Sequence, residues 1–460
     1  MRILFRGTAA SMTGAWTRRS MRYVLAALPL AVGMFACDDL TNLEQENPSQ
    51  ILANDAYVPR NATLLVNGAI GDFECALFRY TTAAGLLGDE LVNAFANAQQ
   101  DNYDRRSHPL TGPYAGDCGG AQLPGVYTSL SVARASADTI LARLQEWTDA
   151  EMAPGVNRSQ LIGQAAAYAG YSLVLLGEGM CSAAINVGPE LTPEQLFDEA
   201  QTRFDLAITA ATTANDSITL RLARLGLART LMNLAFIGTP TNPNDPDLAL
   251  VAEAGALAAQ IPAGFAVNAV ALTTGTNRQQ NVVFAHSGGT GSTNFSSVDP
   301  TFDSLRFAGV LDPRVPVFNT GIVGADNVTI VRQQRKYANL GTPIPFARTT
   351  EARLIEAEAK ALANDLTGAV AIINALHTAA GIPAYDGTGQ TQAQVLAQVR
   401  EERRRELFLE SQRLGDMRRL NLPLIPAVGA TFPRGGIYGD QRCFPLPAVE
   451  RNNNPNIPDV

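Results

Sequence analysis

The chain is nearly without lysine and poor in histidine. Lys336 and Lys360 are its only lysines, and His108, His286 and His377 its only histidines. None of the three lies at ligand spacing from a cysteine, so the pattern excludes a Cys/His metal site. The formal net charge is -8 at pH 7. With the positive charge dispersed as arginine, no basic stripe exists to meet phosphates, which excludes nucleic acid as a partner. No run beyond residue 37 approaches the roughly 20 apolar residues that a membrane-spanning helix needs.

What is there begins with a short apolar run, Val24 to Ala36, followed by Cys37-Asp38-Asp39. Its length suits the apolar region of a secretory signal, and Arg18, Arg19 and Arg22 form the positive flank. Ala36 supplies the small residue that precedes a lipid-accepting cysteine, and Phe35 is bulkier than usual at its place. Lipid attachment at Cys37 is therefore expected, with ordinary secretion and cleavage near Ala36 as the alternative. Met21 is a second candidate start. Residues 1–36 read as a signal peptide, 37–60 as a lipidated tether or N-terminal arm, and 61–460 as a single body. Acyl chains contribute about 0.8 kcal/mol per buried methylene, so anchoring by several chains is effectively permanent.

Cys75, Cys118, Cys181 and Cys443 remain. An even number in an exported chain favours disulfides, with three connectivities open. Cys75 with Cys118 is preferred because both lie in one N-terminal stretch, and Cys181 with Cys443 follows by elimination.

Helical periodicity runs from Leu123 to Trp147 through Val126, Leu130, Ala133, Ala137, Ile140, Leu141 and Leu144. Further helices are expected at Ser159–Leu176, from Thr192-Pro193 to about Ala211, and at Thr219–Ile237. Another pair covers Thr349–Ala363 and Leu366–Ala380, closed by Gly381 and Pro383. Helix pairs of about 34 residues match the tetratricopeptide period, although the consensus pattern is missing. The fold class expected is mostly α: tetratricopeptide-like helix pairs, an α-α superhelix, with an irregular loop-rich insertion containing short strands. That insertion spans about 266–346, with β-favouring runs at Val282-Val283-Phe284 and Val328-Thr329-Ile330-Val331. The C-terminal helical part covers about 347–460.

The last long helix is expected at Val395–Leu414. Arg403 shares its apolar stripe with Leu396, Val399, Leu407 and Leu414. A guanidinium on a core-facing side needs carboxylate partners, and Glu356 or Glu358 is expected to supply them. Arg404, Arg405, Glu401, Glu402, Glu406 and Glu410 read as a solvated face with i,i+4 pairs.

Several segments taken in order resemble the SusD/RagB family of outer-membrane nutrient-binding lipoproteins. They are Arg335-Lys336-Tyr337, the Glu351–Ala359 run, Ile373-Asn374-Ala375-Leu376-His377 with Ala380-Gly381-Ile382-Pro383, and Glu402–Glu410 with Arg413–Arg419. Phe444-Pro445-Leu446-Pro447 with Asn454-Pro455-Asn456 closes the series. Upstream, Gly163–Gly177 looks like the family's second helix and Asp312-Pro313-Arg314 like a signature inside its insertion. Asp38-Asp39 resembles its surface-export signal. His377 stands where the family usually has arginine, and 7% aromatic residues is modest for a glycan binder. The resemblance implies a cell-surface lipoprotein of the outer membrane, held to the membrane through its lipid. Such a protein is a lid on a TonB-dependent transporter, captures oligosaccharides or other nutrients, and carries no catalysis; no cofactor is expected.

Sugar sites combine flat aromatic faces with amide and arginine donors. Two loop regions offer that mix: Asn93, Phe95, Asn97, Asn102 and Tyr103, and then Phe302, Arg306 and Phe307. The rival class is a glycoside hydrolase on paired helices, which requires two facing carboxylates. Asp89-Glu90 and the acids from Asp101 to Asp104 are its candidates. A pure repeat scaffold for protein partners fits the long polar insertion less well.

Overall fold

The computed structural model describes residues 53–237, 245–274, 276–289 and 294–458. The expected signal, Cys37 and most of the tether lie outside the described residues. Ala56–Val460 cluster into one compact unit.

After a short α1 (Ala53–Ala56), the helices are α2 (Ala62–Leu87), α3 (Ala98–Asp104), α4 (Tyr127–Glu146), α5 (Arg158–Gly179), α6 (Pro193–Ala214), α7 (Ser217–Phe236) and α8 (Leu248–Ala259). They continue as α9 (Val282–Ser287), α10 (Thr349–Leu362), α11 (Leu366–Ala380), α12 (Gln392–Glu406), α13 (Arg413–Arg419) and α14 (Ala448–Asn453). Packing runs α2 on α4, α4 on α5, α5 on α6, α6 on α7, α7 on α8 and α8 on α10, with α10 against both α11 and α12. This is the superhelix of tetratricopeptide-like pairs expected from the periodicity.

Local chemistry sets the helix ends. Asn157, Thr192, Asp216, Asp365 and Thr391 each accept a first-turn backbone N–H through the side chain, about 1 kcal/mol apiece. Gly381, at φ 68°, closes α11 in the left-handed region that glycine enters without steric cost. The core is closely packed where α5, α6 and α7 meet: a methyl on Gly170 would stand 2.8 Å from the Phe204 ring. Helix α2 is not legible in the sequence. Every residue from Cys75 to Leu87 is buried, and a helix buried all round carries no amphipathic stripe.

The strands form short antiparallel pairs, most of them within the insertion or reaching it. β1 (Leu91–Asn93) pairs with β5 (Ser296–Val298), and β4 (Ala266–Ala269) with β10 (Ile344–Arg348). β2 (Ala183–Ala184) pairs with β3 (Glu190–Leu191), β6 (Arg306–Phe307) with β7 (Val310–Leu311), and β8 (Val317–Val323) with β9 (Ile330–Gln334). Two expected strand runs are corrected. Val282-Val283-Phe284 is helical, because Asn281 caps it by accepting Phe284 N at 3.0 Å and both valines are buried; tertiary burial overrides β-propensity. Val328 and Thr329 lie in a turn, since Asp326 accepts both their N–H groups, and the strand starts at Ile330.

The helix expected over Val395–Leu414 is also two. α12 ends at Glu406, the backbone turns left-handed at Leu409 (φ 55°) and Ser411 (φ 68°), and Leu409 N donates to Glu90 Oε1 at 2.7 Å. Arg403 pairs with Asp416 (3.1 Å) and Gln412 (3.2 Å), not with Glu356 or Glu358. The break brings Asp416 back onto α12, while Glu358 meets Arg419 (2.7 Å) and Arg400 (3.3 Å) and Glu356 pairs with Arg353. The face read as solvated is largely covered: Glu402, Arg405 and Glu410 are buried. They bolt the insertion to α12 and the turn after it. Arg314 joins Asp312 (2.7 Å), Glu402 (2.5 Å) and Glu406 (3.1 Å), Arg405 reaches Asp312 at 3.1 Å, and Glu410 binds Lys336 (2.6 Å) and Arg348 (2.8 Å).

Both preferred disulfides are formed, Cys75–Cys118 and Cys181–Cys443. The second ties the C-terminal segment to the end of α5, where Cys181 N donates to Phe444 O at 2.8 Å and Phe444 N to Gly179 O at 2.9 Å. Among the described residues no helix is long and apolar enough to cross a membrane.

Candidate binding cavity

Three segments far apart in sequence enclose a cavity of about 350 Å³. They are the β1–α3 region, the insertion at Asp299–Thr301 and Val328–Arg332, and the C-terminal loop from Ile425 to Tyr438.

The first wall is set by the cap of α3. Asn97 accepts the N–H groups of Gln99 (2.9 Å) and Gln100 (3.3 Å), which orients Asp101 and Asp104 on the short helix. Asp104 accepts Asn93 N through Oδ2 at 2.8 Å, and Asn93 Nδ2 donates to Asp101 at 2.6 Å. In the second wall, Asp299 N donates to Glu90 O at 2.9 Å and Asp299 Oδ1 accepts Thr301 N at 2.8 Å. Arg332 is held by Asp303 at 3.0 Å.

The third wall turns sharply at Gly435 (φ 99°) and Gly436 (φ 84°), a conformation that side-chain-bearing residues rarely adopt. This turn carries Phe432 and Tyr438, packed edge to face with centroids 5.2 Å apart. Arg434 fastens the turn to the other walls through Asp101 and, at 2.6 Å, Asp326. Arg106 fastens its base, donating to Gly439 O (3.1 Å), Ile425 O (3.3 Å) and Pro426 O (2.5 Å) while lying 4.9 Å from the Tyr438 ring centre. Burial pushes the Asp104 carboxyl up to about 7, against the pull of the Asn93 N–H and with added repulsion from Asp299. Burial also raises Asp299 and the Tyr438 phenol.

The two expected loop regions converge only in part. Asn93 lines the cavity, although its side-chain amide is engaged by Asp101 and Phe95 N. Phe95 packs edge-on against Phe295 (5.3 Å), Asn97 is the helix cap, and Asn102 accepts from Arg105 and Ser107. Tyr103 is fully buried with its hydroxyl donated to Pro124 O at 2.7 Å, so it offers no stacking face. Phe302 is likewise buried, stacked on Phe408 at 5.0 Å with the Arg404 guanidinium 4.0 Å from its centre. Arg306 is exposed and donates to Gly309 O, and Phe307 packs against His377 at 4.4 Å. Packing accounts for both buried rings. Sequence reasoning misses Phe432, Arg434 and Tyr438; the aromatic and glycine-rich run from Phe432 to Tyr438 is the signal that marks them.

The acids considered for hydrolysis are mostly engaged. Asp89 forms a double hydrogen bond with Arg413, 2.6 Å each, and Glu90 holds Leu409 N. Asp104 and Asp299 are the carboxylates that face the cavity together with their charge unpaired. Among the described residues no group of three His, Cys, Asp or Glu side chains could hold a metal ion.

Residues 317–457 match the SusD family. A SusD-like carbohydrate binding protein from Bacteroides vulgatus is 17% identical with a TM-score of 0.62, covering 87% of this chain and 98% of that one. A SusD superfamily protein from Bacteroides fragilis gives 15% identity and a TM-score of 0.64, over 87% of this chain and 99% of its own. One from Parabacteroides distasonis gives 13% and 0.62, over 89% and 99%. None of the curated proteins matches the chain.

Proposed function

We propose, from the match of residues 317–457 to the SusD family and the fold shared with SusD-like proteins, that this chain is a cell-surface nutrient-binding lipoprotein. In this reading it takes oligosaccharides and acts as the lid of a TonB-dependent outer-membrane transporter. The observation that carries the reading is the cavity. Its volume falls in the range of small-ligand sites, about 300–1,000 Å³, and it joins aromatic edges to two carboxyls and to arginines held by salt bridges. Such a mix suits a sugar ring, whose C–H face packs on apolar walls while its hydroxyls need acceptors. The acylated Cys37 and the arm to residue 60 would tether the lid and let it swing, with Asp38-Asp39 directing it to the surface.

Asp104 and Asp299 in one cavity favour one rival, a glycoside hydrolase. Incubation with an oligosaccharide panel separates the two: retention of intact ligand supports binding alone, whereas released product overturns it. Co-purification of a large barrel protein from native membranes tests the lid. Recovery of the protein without any barrel partner would remove that part of the reading.

A further inference from the structure

Two carboxylates line the cavity with their charge unpaired. Asp104 is 7% and Asp299 5% exposed, and each accepts one backbone N–H, from Asn93 and Thr301 respectively. Neither forms an ion pair among the described residues. The arginines around them are already committed: Arg434 to Asp101 and Asp326, Arg332 to Asp303, and Arg106 to three carbonyls. Elsewhere in the molecule, buried Asp312, Glu358, Glu402 and Asp416 all have arginine partners. A buried carboxylate without a cation is unfavourable, and the raised Asp104 and Asp299 titrations report that cost. The cavity therefore holds two buried carboxyls that lack a cationic partner among the described residues, and a ligand ammonium would supply one where sugar hydroxyls cannot.

We propose that the cavity selects glycans bearing free amino groups, with the ammonium of a glucosamine-type unit seated between Asp104 and Asp299. The selection rests on the cavity being the oligosaccharide site. It differs from recognition of neutral sugars in needing the ligand's charge.

Calorimetric titration of the full chain at pH 7 with the β-1,4-linked tetramers of glucosamine, N-acetylglucosamine and glucose tests it. The glucosamine tetramer is expected to bind at least about tenfold tighter than the other two, a difference of about 1.4 kcal/mol. Asp104→Asn and, separately, Asp299→Asn are each expected to drive that ratio toward one. The wild-type ratio stands as a test by itself should either variant fail to fold. Equal or weaker binding of the glucosamine tetramer overturns amine selection and leaves the cavity a neutral-glycan site. Absence of binding by all three tetramers and by a wider oligosaccharide panel overturns the site itself. Trilysine binding as tightly as the glucosamine tetramer overturns the glycan class, because charge alone would then suffice.

Discussion

Glu351, in the first turn of α10, is 1% exposed. Gln412 and Arg229 approach it, the latter to 3.9 Å. Burial pushes its pKa from 4.5 up to about 7, only partly offset by Arg229 and Arg403. A carboxyl whose folded pKa is raised favours the folded state while protonated. That contribution is complete below the unfolded pKa and is lost as pH climbs through the folded one. At about 1.36 kcal/mol per pH unit, the loss between pH 4 and pH 8 comes to about 3 kcal/mol. Glu351→Gln keeps the shape and removes the titration. Urea unfolding of both proteins at pH 4 and pH 8, disulfides intact, should show the variant gaining about 3 kcal/mol on the wild type across that interval. Subtracting one protein from the other cancels Glu90 and Asp104, which are also raised. A stability difference that stays constant from pH 4 to pH 8 would refute the reasoning, and one that grows in favour of the wild type would reverse it.

The same contacts set three further outcomes. Among the described residues, Asp416→Ala removes the one carboxylate paired with buried Arg403 and one of the two that hold Arg419, and should lower unfolding stability by about 3 kcal/mol with binding impaired only through loss of folded protein. Arg434→Ala releases the Phe432–Tyr438 turn from Asp101 and Asp326. Charge-assisted hydrogen bonds contribute about 1.5–3 kcal/mol each, so ligand affinity measured by calorimetry should fall by one to two orders of magnitude. Replacing Cys181 and Cys443 together opens a crosslink of sequence separation 262. Chemical denaturation should show a loss of up to about 5 kcal/mol in the chain-entropy model, larger than for the Cys75/Cys118 pair.

Sequence discloses whatever repeats locally. The stripes of α4 to α7, the caps at Thr192 and Thr391, and the ordered C-terminal segments all point to a SusD-like helical body. The C-terminal half of helix α2 escapes this reading because it is buried on every side. The break after Glu406 is invisible for another reason: Leu409 turns to meet Glu90, more than 300 residues earlier, and no local pattern records such a tie. The cavity shows the same limit. Asn93 is identifiable from its amide and its aromatic neighbours. Arg434 acquires its role only through Asp101 and Asp326, while Tyr103 and Phe302, good stacking residues by composition, are drawn into the core.

Ligand held, uncleaved, between the β1–α3 region, the insertion and the C-terminal loop is the central claim. Hydrogen exchange of the full chain with and without the tightest-binding oligosaccharide, followed by recovery and mass measurement of that ligand, tests it most directly. Slowed exchange is predicted in residues 92–104, 299–301, 328–332 and 427–438, with the oligosaccharide recovered intact. Protection confined to the separate groove beside Phe197 and Phe236, or recovery of shortened oligosaccharide, would contradict it.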